Sequence, residues 1–229
     1  MLFVTAKSLG RKPREFTDLA LAIELLHTSS LVHDDIIDGD STRRRKQSVH
    51  VKYGVEAAII AGDALISKAM QLAARYGETV NREVASAAMK MCAGELLDYN
   101  IQKGTIKATS KRYMEIARLK SASLISSSCS SVSIYTKSKW SPELRAFGTN
   151  IGMAFQIKDD LSDYGNRKPK DRHKKTCNIV DIIAEEKGAK YAIKKTKKLN
   201  ELYVNRAIAS IKEIKKLQPL ANYAVSVRV

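Results

Sequence analysis

The chain has 229 residues, of which 44% are hydrophobic, so it can bury a sizeable core and is too apolar for a disordered protein. Its net charge of +16, from 40 basic and 24 acidic residues, predicts an anionic partner: nucleic acid, an acidic membrane surface or a phosphorylated substrate. Cys92, Cys129 and Cys177 form no CxxC pair, which predicts reduced thiols and a cytoplasmic location. No signal peptide is evident, and the apolar runs look interrupted by charge, which predicts at most peripheral membrane contact.

The apolar spacing predicts helices along the chain. The predicted segments are, in order, 16–38, 55–75, 80–99, 111–135 and 141–163, followed by a loop over 164–175 and two or three lysine-rich helices over 179–227. Thr17 or Asp18 is expected to cap the first helix, and Gly39 to end it. The serine-rich half of 111–135 is expected to be a buried helix of small residues. With only 4 Pro and 11 Gly, the chain is predicted to be all-α, with one domain over 1–229.

Two DDxxD clusters stand at the ends of apolar helices, Asp34-Asp35-Asp38 and Asp159-Asp160-Asp163. The first and last Asp of each cluster lie four residues apart and therefore on one helix face, where like charges repel each other. A hard cation would relieve that repulsion, and Mg²⁺ typically shares its carboxylate ligands with substrate phosphate oxygens. The clusters therefore predict Mg²⁺ bound around a diphosphate, although one DDxxD alone would more often be a solvated helix face. No His or Cys spacing is typical of zinc.

Several ordered motifs around these clusters resemble those of the trans-isoprenyl diphosphate synthases. They are the segment 27–38 with Arg43, Arg44 and His50 after it, Gly62-Asp63-Ala64-Leu65, Gly94-Glu95-Leu96-Leu97-Asp98, Lys120-Ser121, the segment 152–160, and Lys174 with Thr176. The resemblance runs along nearly the whole chain. It implies the isoprenoid synthase fold, with helices around a central cavity, usually as a homodimer and without nucleic acid.

The resemblance also implies a reaction and roles for residues. Mg²⁺ held by all six aspartates, Asp34, Asp35, Asp38, Asp159, Asp160 and Asp163, would assist ionisation of an allylic diphosphate, and isopentenyl diphosphate would then attack the allylic cation. The residues implied to bind the two substrates are Arg43, Arg44, His50, Lys120, Ser121, Gln156, Lys168 and Lys174. The implied catalytic set consists of the first five of these six aspartates together with Lys120 and Lys174. The chain contains no evident Ser-His-Asp or Cys-His grouping, which agrees with chemistry that depends on positioning and charge stabilisation.

Three departures from the family pattern are visible. The family's N-terminal helix and its G-K-R-x-R-P element, which binds isopentenyl diphosphate, would precede the segment that 1–4 resembles. The loop after Asp163 is short and lacks the usual glycines. Arg45 and Gln47 stand where the family prefers Gly and Pro.

The family sets product length with bulky residues just before the first cluster, and here those positions are Ser29 and Ser30. Two small residues predict a deep cavity and a product of geranylgeranyl length or longer. Two alternatives stay open: a non-catalytic or weakly active subunit of a hetero-oligomeric synthase, and a class I terpene cyclase, which shares DDxxD but usually carries an Asn-Ser-Glu second motif.

Overall fold

The computed structural model describes residues 1–166, 177–212 and 214–229, and almost all of them are helical. The helices are α1 Leu2–Ser8, α2 Thr17–Asp38, α3 Val49–Tyr53, α4 Val55–Ala74, α5 Glu78–Gln102, α6 Ser110–Ile116, α7 Ser123–Tyr135, α8 Ser141–Asn166, α9 Ile179–Lys187, α10 Ala189–Ile211 and α11 Gln218–Ser226. Short 3-10 turns cover Pro13–Phe16 and Lys215–Leu217, and a π-helical segment, Ala117–Ala122, joins α6 to α7. The all-α prediction is confirmed.

The first long helix was predicted well at its C-terminus and less well at its start. Gly39 ends α2 in the left-handed conformation at φ 66°, which glycine adopts without steric cost. The N-cap is Phe16 and makes no side-chain capping bond, so the prediction of Thr17 or Asp18 as cap was wrong by one or two positions. Phe16 is fully buried and stacks on Tyr76, so packing fixes this helix start.

The serine-rich helix is buried, as predicted. Six serines of α7 belong to the interior, and α7 packs against both α5 and α8. Small side chains let backbones approach closely, and several serine hydroxyls bond to carbonyls one turn earlier, such as Ser133 Oγ to Ser130 O at 2.8 Å. α7 therefore lies in the middle of the helical array.

A short antiparallel hairpin interrupts the helices after α2, pairing β1, Thr42–Arg43, with β2, Lys46–Gln47. Its two-residue tip, Arg44 and Arg45, has positive φ values of 50° and 65°, as in the turns that match strand twist. The sequence predicted only a basic loop here.

Helix α4 differs from the expectation that charged residues interrupt every apolar run. Val55–Ala74 is long and apolar enough to cross a membrane by length and composition alone, so the expectation that every apolar run is cut by charge was wrong for this segment. Only 28% of its most apolar window is buried. The buried part of α4 packs against α2, while Ile59 and Ile60 on its other side stay exposed.

Candidate active site

The first aspartate cluster occupies the last turn of α2, and its three carboxylates point in different directions. Asp34 lines a cavity, and Asp38 is exposed and accepts a hydrogen bond from Gln102 Nε2 at 3.1 Å. Asp35 is 2% exposed and pairs with Arg43, whose Nε lies 2.6 Å and Nη2 2.5 Å from Asp35 Oδ1. Asp34 and Asp38 thus remain as the helical i, i+4 pair, whereas Asp35 and Arg43 engage each other.

The second cluster, in α8, repeats this division. Asp159 and Asp163 are exposed, while Asp160 is buried and accepts hydrogen bonds from the backbone N–H of Ile179 and from Gln156 Nε2, both at 2.9 Å. Burial raises the pKa of Asp160 to about 6, although these hydrogen bonds act to lower it. The central Asp of each cluster is therefore buried and held by protein groups, whereas Asp38, Asp159 and Asp163 are exposed and Asp34 faces the cavity beside Lys120.

Both clusters border one cavity of about 560 Å³, which we call the inter-cluster cavity. Its lining includes Asp34 from α2, Asp159 and Gln156 from α8, and Lys120 and Ser121 from the π-helical segment. Ser121 Oγ donates to Gln156 Oε1 at 2.5 Å. The structure thus brings together residues from three separate parts of the chain, on α2, on the π-helical segment and on α8.

Lys120 lies among three carboxylates. Its ammonium contacts Glu95 most closely, with Asp98 at 3.4 Å and Asp34 at 3.6 Å. Burial raises the pKa of Asp34 to about 7, and the Glu95 charge adds to this while Lys120 opposes it. Burial raises the pKa of Asp98 as well, and the surrounding carboxylates raise that of Lys120 despite its burial. One ammonium faces three carboxylates, so the site has room for further positive charge.

Two glycines permit the close packing that positions Lys120. A Cβ on Gly94 of α5 would lie 2.7 Å from the Lys120 backbone nitrogen, and a Cβ on Gly152 of α8 would lie 2.5 Å from Ala122 Cα. The π-helical segment therefore packs closely between α5 and α8, with its backbone near both glycines. Such segments are rare and frequently occur at functional sites.

A second cavity of about 550 Å³, here the apolar cavity, lies between α2, α4 and α5. Residues at its wall include Ser29, Ile66, Cys92 and Leu96. Four residues line both cavities, namely Ser30, Asp34, Met91 and Lys120. A ligand whose charged end lies at Lys120 could therefore extend an apolar chain into this second space.

Arg44 and His50 lie apart from the carboxylates. Arg44 is exposed at the hairpin tip, and His50 lies in the short helix α3, where its Nδ1 is buried without a hydrogen-bond partner among the described residues. Lys168 and Lys174 fall outside the described residues. The implied substrate contacts of these four residues stay predictions.

Sequence reasoning missed Glu95, Tyr113 and Asn178 as site residues. Glu95 is the nearest partner of Lys120, and its place three residues before Asp98 on α5 was the available signal. Tyr113 is fully buried, and burial with the nearby Asp160 charge raises its pKa well above the usual value. Asn178 caps α9 and donates to the Asp160 carbonyl at 3.1 Å. Nothing in the local sequence marked the last two.

The donor set fits a hard cation shared with a ligand. Among the described residues, no three Asp, Glu, His or Cys groups are assembled around one ion position. The pairs Asp34/Asp38 and Asp159/Asp163 supply only carboxylate oxygens, the ligands that Mg²⁺ uses together with water and phosphate oxygens. The arrangement therefore suits Mg²⁺ that is completed by a diphosphate.

Comparison with known proteins agrees with this architecture. The family described as Polyprenyl synthetase matches residues 1–219, and the chain belongs to this family. It is 37% identical to the short chain isoprenyl diphosphate synthase of Methanothermobacter thermautotrophicus over 172 residues, 71% of this chain and 52% of that protein. It is 28% identical to the geranylgeranyl diphosphate synthase of Methanosarcina mazei, covering 99% of this chain and 74% of that protein.

A solved structure shares the fold. The geranylgeranyl pyrophosphate synthetase of the archaeon Geoglobus acetivorans superposes with a TM-score of 0.87 at 24% identity, covering 99% of this chain and 82% of that one. The isoprenoid synthase fold is thus confirmed. The chain spans about half the length of the first curated relatives, 52% and 54%.

Proposed function

We propose that this chain is a prenyltransferase that condenses isopentenyl diphosphate with an allylic diphosphate to give a linear polyprenyl diphosphate. The observation that carries the proposal is the inter-cluster cavity, which Asp34 and Asp159 of the two clusters line together with Lys120. Relatives named geranylgeranyl and geranylfarnesyl diphosphate synthases support the reaction class and a product of geranylgeranyl length or longer.

Some of the site residues would hold or supply positive charge, and others would position them. Mg²⁺ bound by the aspartate clusters would supply the positive charge that stabilises a departing diphosphate. Asp34/Asp38 would hold the ions from α2 and Asp159/Asp163 from α8, and Lys120 would add a fixed ammonium. Gln156, bonded to both Ser121 and Asp160, would keep the second cluster in register with Lys120. The resemblance implied that Asp35 and Asp160 are metal ligands. We propose that their main role is to orient their helices.

The apolar cavity would receive the growing hydrocarbon chain. Its walls are mostly apolar, and it joins the inter-cluster cavity at Ser30 and Met91. Allylic cations react readily with water, so a dry, apolar space beside the charged site favours condensation over hydrolysis. The same space offers no group that distinguishes a cyclase from a synthase, and the second DDxxD cluster favours the synthase.

The test is a product assay. Purified protein is incubated with labelled isopentenyl diphosphate, Mg²⁺ and allylic primers of increasing length, and the products are resolved by chain length. Linear products of geranylgeranyl length or longer are expected. A cyclised hydrocarbon would indicate the cyclase instead. No turnover, even with the family's upstream basic element joined to the chain, would indicate the non-catalytic subunit.

We also infer a homodimer formed through α4 and α5. On these helices Ile60 is 67% and Met89 71% exposed, with Val55 and Ile59 also exposed. A monomeric protein rarely leaves such residues in contact with water, and a two-fold dimer covers equivalent faces of both copies. The same reasoning accounts for the apolar character of α4 without a membrane, in keeping with the predicted cytoplasmic location.

A further inference from the structure

The candidate active site does not account for the surplus of positive charge. The site's lysine is surrounded by three carboxylates, so that region is acidic until cations bind. Most of the +16 charge must therefore reside elsewhere on the surface. One stretch with many lysines and no acidic residue lies on α9 and α10.

Twelve residues, 187–198, contain six lysines and no acidic residue. The six exposed lysines are Lys187 at the end of α9 and Lys190, Lys194, Lys195, Lys197 and Lys198 on α10, and together we call them the α10 lysine face. Within the part of the chain that the structure describes, none of them forms an ion pair. The nearest acidic residues along the chain, Glu186 and Glu201, flank the run. The face therefore keeps its full charge.

The helix that carries this face is anchored by its opposite side. Ala192, Thr196 and Asn200 of α10 are fully buried, and Asn200 Nδ2 donates to the Ala154 carbonyl of α8 at 2.8 Å. Lysines at 190, 194 and 197 follow helical spacing and project away from that buried side. The charge is thus displayed on a rigid, outward surface.

Exposed apolar side chains lie among the lysines or one helical turn beyond them. Tyr191 is 49%, Ile193 36% and Leu202 42% exposed. Lysines with interspersed apolar groups are typical of surfaces that rest on anionic lipid headgroups, where ammonium groups meet phosphates and the apolar groups reach the interface. A nucleic-acid surface would more often use arginine and stacked aromatic rings, and this run contains no arginine.

We propose that the α10 lysine face docks the protein on anionic membranes. Because the helix's own apolar side is committed to the core, binding would be peripheral and largely electrostatic, and it would weaken with added salt. The proposal rests on the surface alone and holds whether or not the chain has prenyltransferase activity.

The test compares vesicles of phosphatidylcholine with vesicles that also contain phosphatidylglycerol, using co-sedimentation of the full chain. The wild type should bind only the anionic vesicles. Replacing Lys190, Lys194, Lys197 and Lys198 by Gln should weaken binding by about fivefold per lysine, at least a hundredfold in all. The matched control carries Gln at four exposed lysines elsewhere, Lys107, Lys111, Lys137 and Lys139, and should bind within a few fold of wild type.

Several results would overturn the proposal. Equal losses in the two variants would mean that net charge, and not this face, drives binding. Failure of the wild type to bind anionic vesicles at low salt would exclude a membrane surface. Binding to a labelled DNA duplex but not to vesicles would assign the face to nucleic acid. Circular dichroism of both variants verifies that each is folded.

Discussion

Asp34 is both a proposed metal ligand and a largely buried carboxylate. Its side chain is 15% exposed beside Lys120, and burial raises its pKa from 3.8 to about 7. Because the folded state then binds a proton more tightly than the unfolded state, this group makes stability fall as pH rises from about 4 to about 7. Asp160, with a pKa raised to about 6, adds to that fall over the lower part of the range.

We therefore expect the Asp34→Asn variant to lose much of this pH dependence. In buffer with a chelator, the free energy of unfolding should fall less between pH 4 and pH 7 in the variant than in wild type. Chemical denaturation at several pH values measures it. Asp18→Asn, at an exposed residue paired with Arg75, should keep the wild-type slope. An unchanged slope in Asp34→Asn would contradict the raised pKa.

Ser29 is the residue at which product length can be tested. Its Oγ donates to the Gly62 carbonyl at 3.0 Å, and it lines the apolar cavity. The Ser29→Phe variant should make shorter products, because Ser29 lines that cavity and a phenyl ring in its place would reduce the space for the hydrocarbon chain. Chain-length analysis of the products measures this. Products as long as those of wild type would contradict the assignment of the apolar cavity to the hydrocarbon chain.

At the residue scale the sequence identified the clusters but not the direction of each carboxylate. Spacing predicted Asp34 and Asp38 on one helix face, and the structure has them there. Asp35 turns inward to Arg43 because of the packing around the hairpin. No pattern in the sequence predicted that hairpin. Glu95 was missed for a similar reason, because its partner Lys120 lies 25 positions away and beyond a turn.

At the scale of elements, the long helices were predictable because their apolar spacing is strong and glycines mark their ends. The π-helical segment Ala117–Ala122 was not, because it replaces part of a helix without changing composition. It depends on tertiary contacts instead, chiefly the approach of Gly94 and Gly152. The hairpin tip escaped prediction because Arg44 and Arg45 occupy positive φ values that usually call for Gly or Asn.

The Gly94→Ala variant tests this grip on the π-helical segment. The added methyl would meet Lys120 backbone at 2.7 Å and Leu119 Cβ at 2.9 Å, so α5 must move. We expect a loss of about 1–3 kcal/mol in the free energy of unfolding and a lower elongation rate, since Lys120 shifts with its backbone.

Gly165 supplies the matched control. It lies near the end of α8, and a Cβ there meets nothing within 4 Å. The Gly165→Ala variant should be as stable as wild type or gain up to about 1 kcal/mol from helix propensity. If Gly94→Ala were as stable as Gly165→Ala, the close contact between α5 and the π-helical segment would not be a constraint.

At the scale of the whole molecule, the exposed apolar face of α4 and α5 predicts the homodimer. Ile60→Glu combined with Met89→Glu should convert dimer to monomer, because two charges would be buried without partners at the centre of the interface. Sedimentation velocity measures the mass. Val225→Glu on α11, where the side chain is 51% exposed, should leave the dimer intact. A dimer that survives the α4/α5 changes would place the interface elsewhere.

The central claim is that the two aspartate clusters act on one diphosphate through Mg²⁺. Calorimetry of inorganic pyrophosphate binding in the presence of Mg²⁺ tests it most directly, with wild type, Asp34→Asn, Asp159→Asn and the double variant. Each single change should weaken binding at least tenfold, and the double change should cost less than the two single losses combined, because both remove parts of one shared site. Full affinity in either single variant would contradict the claim.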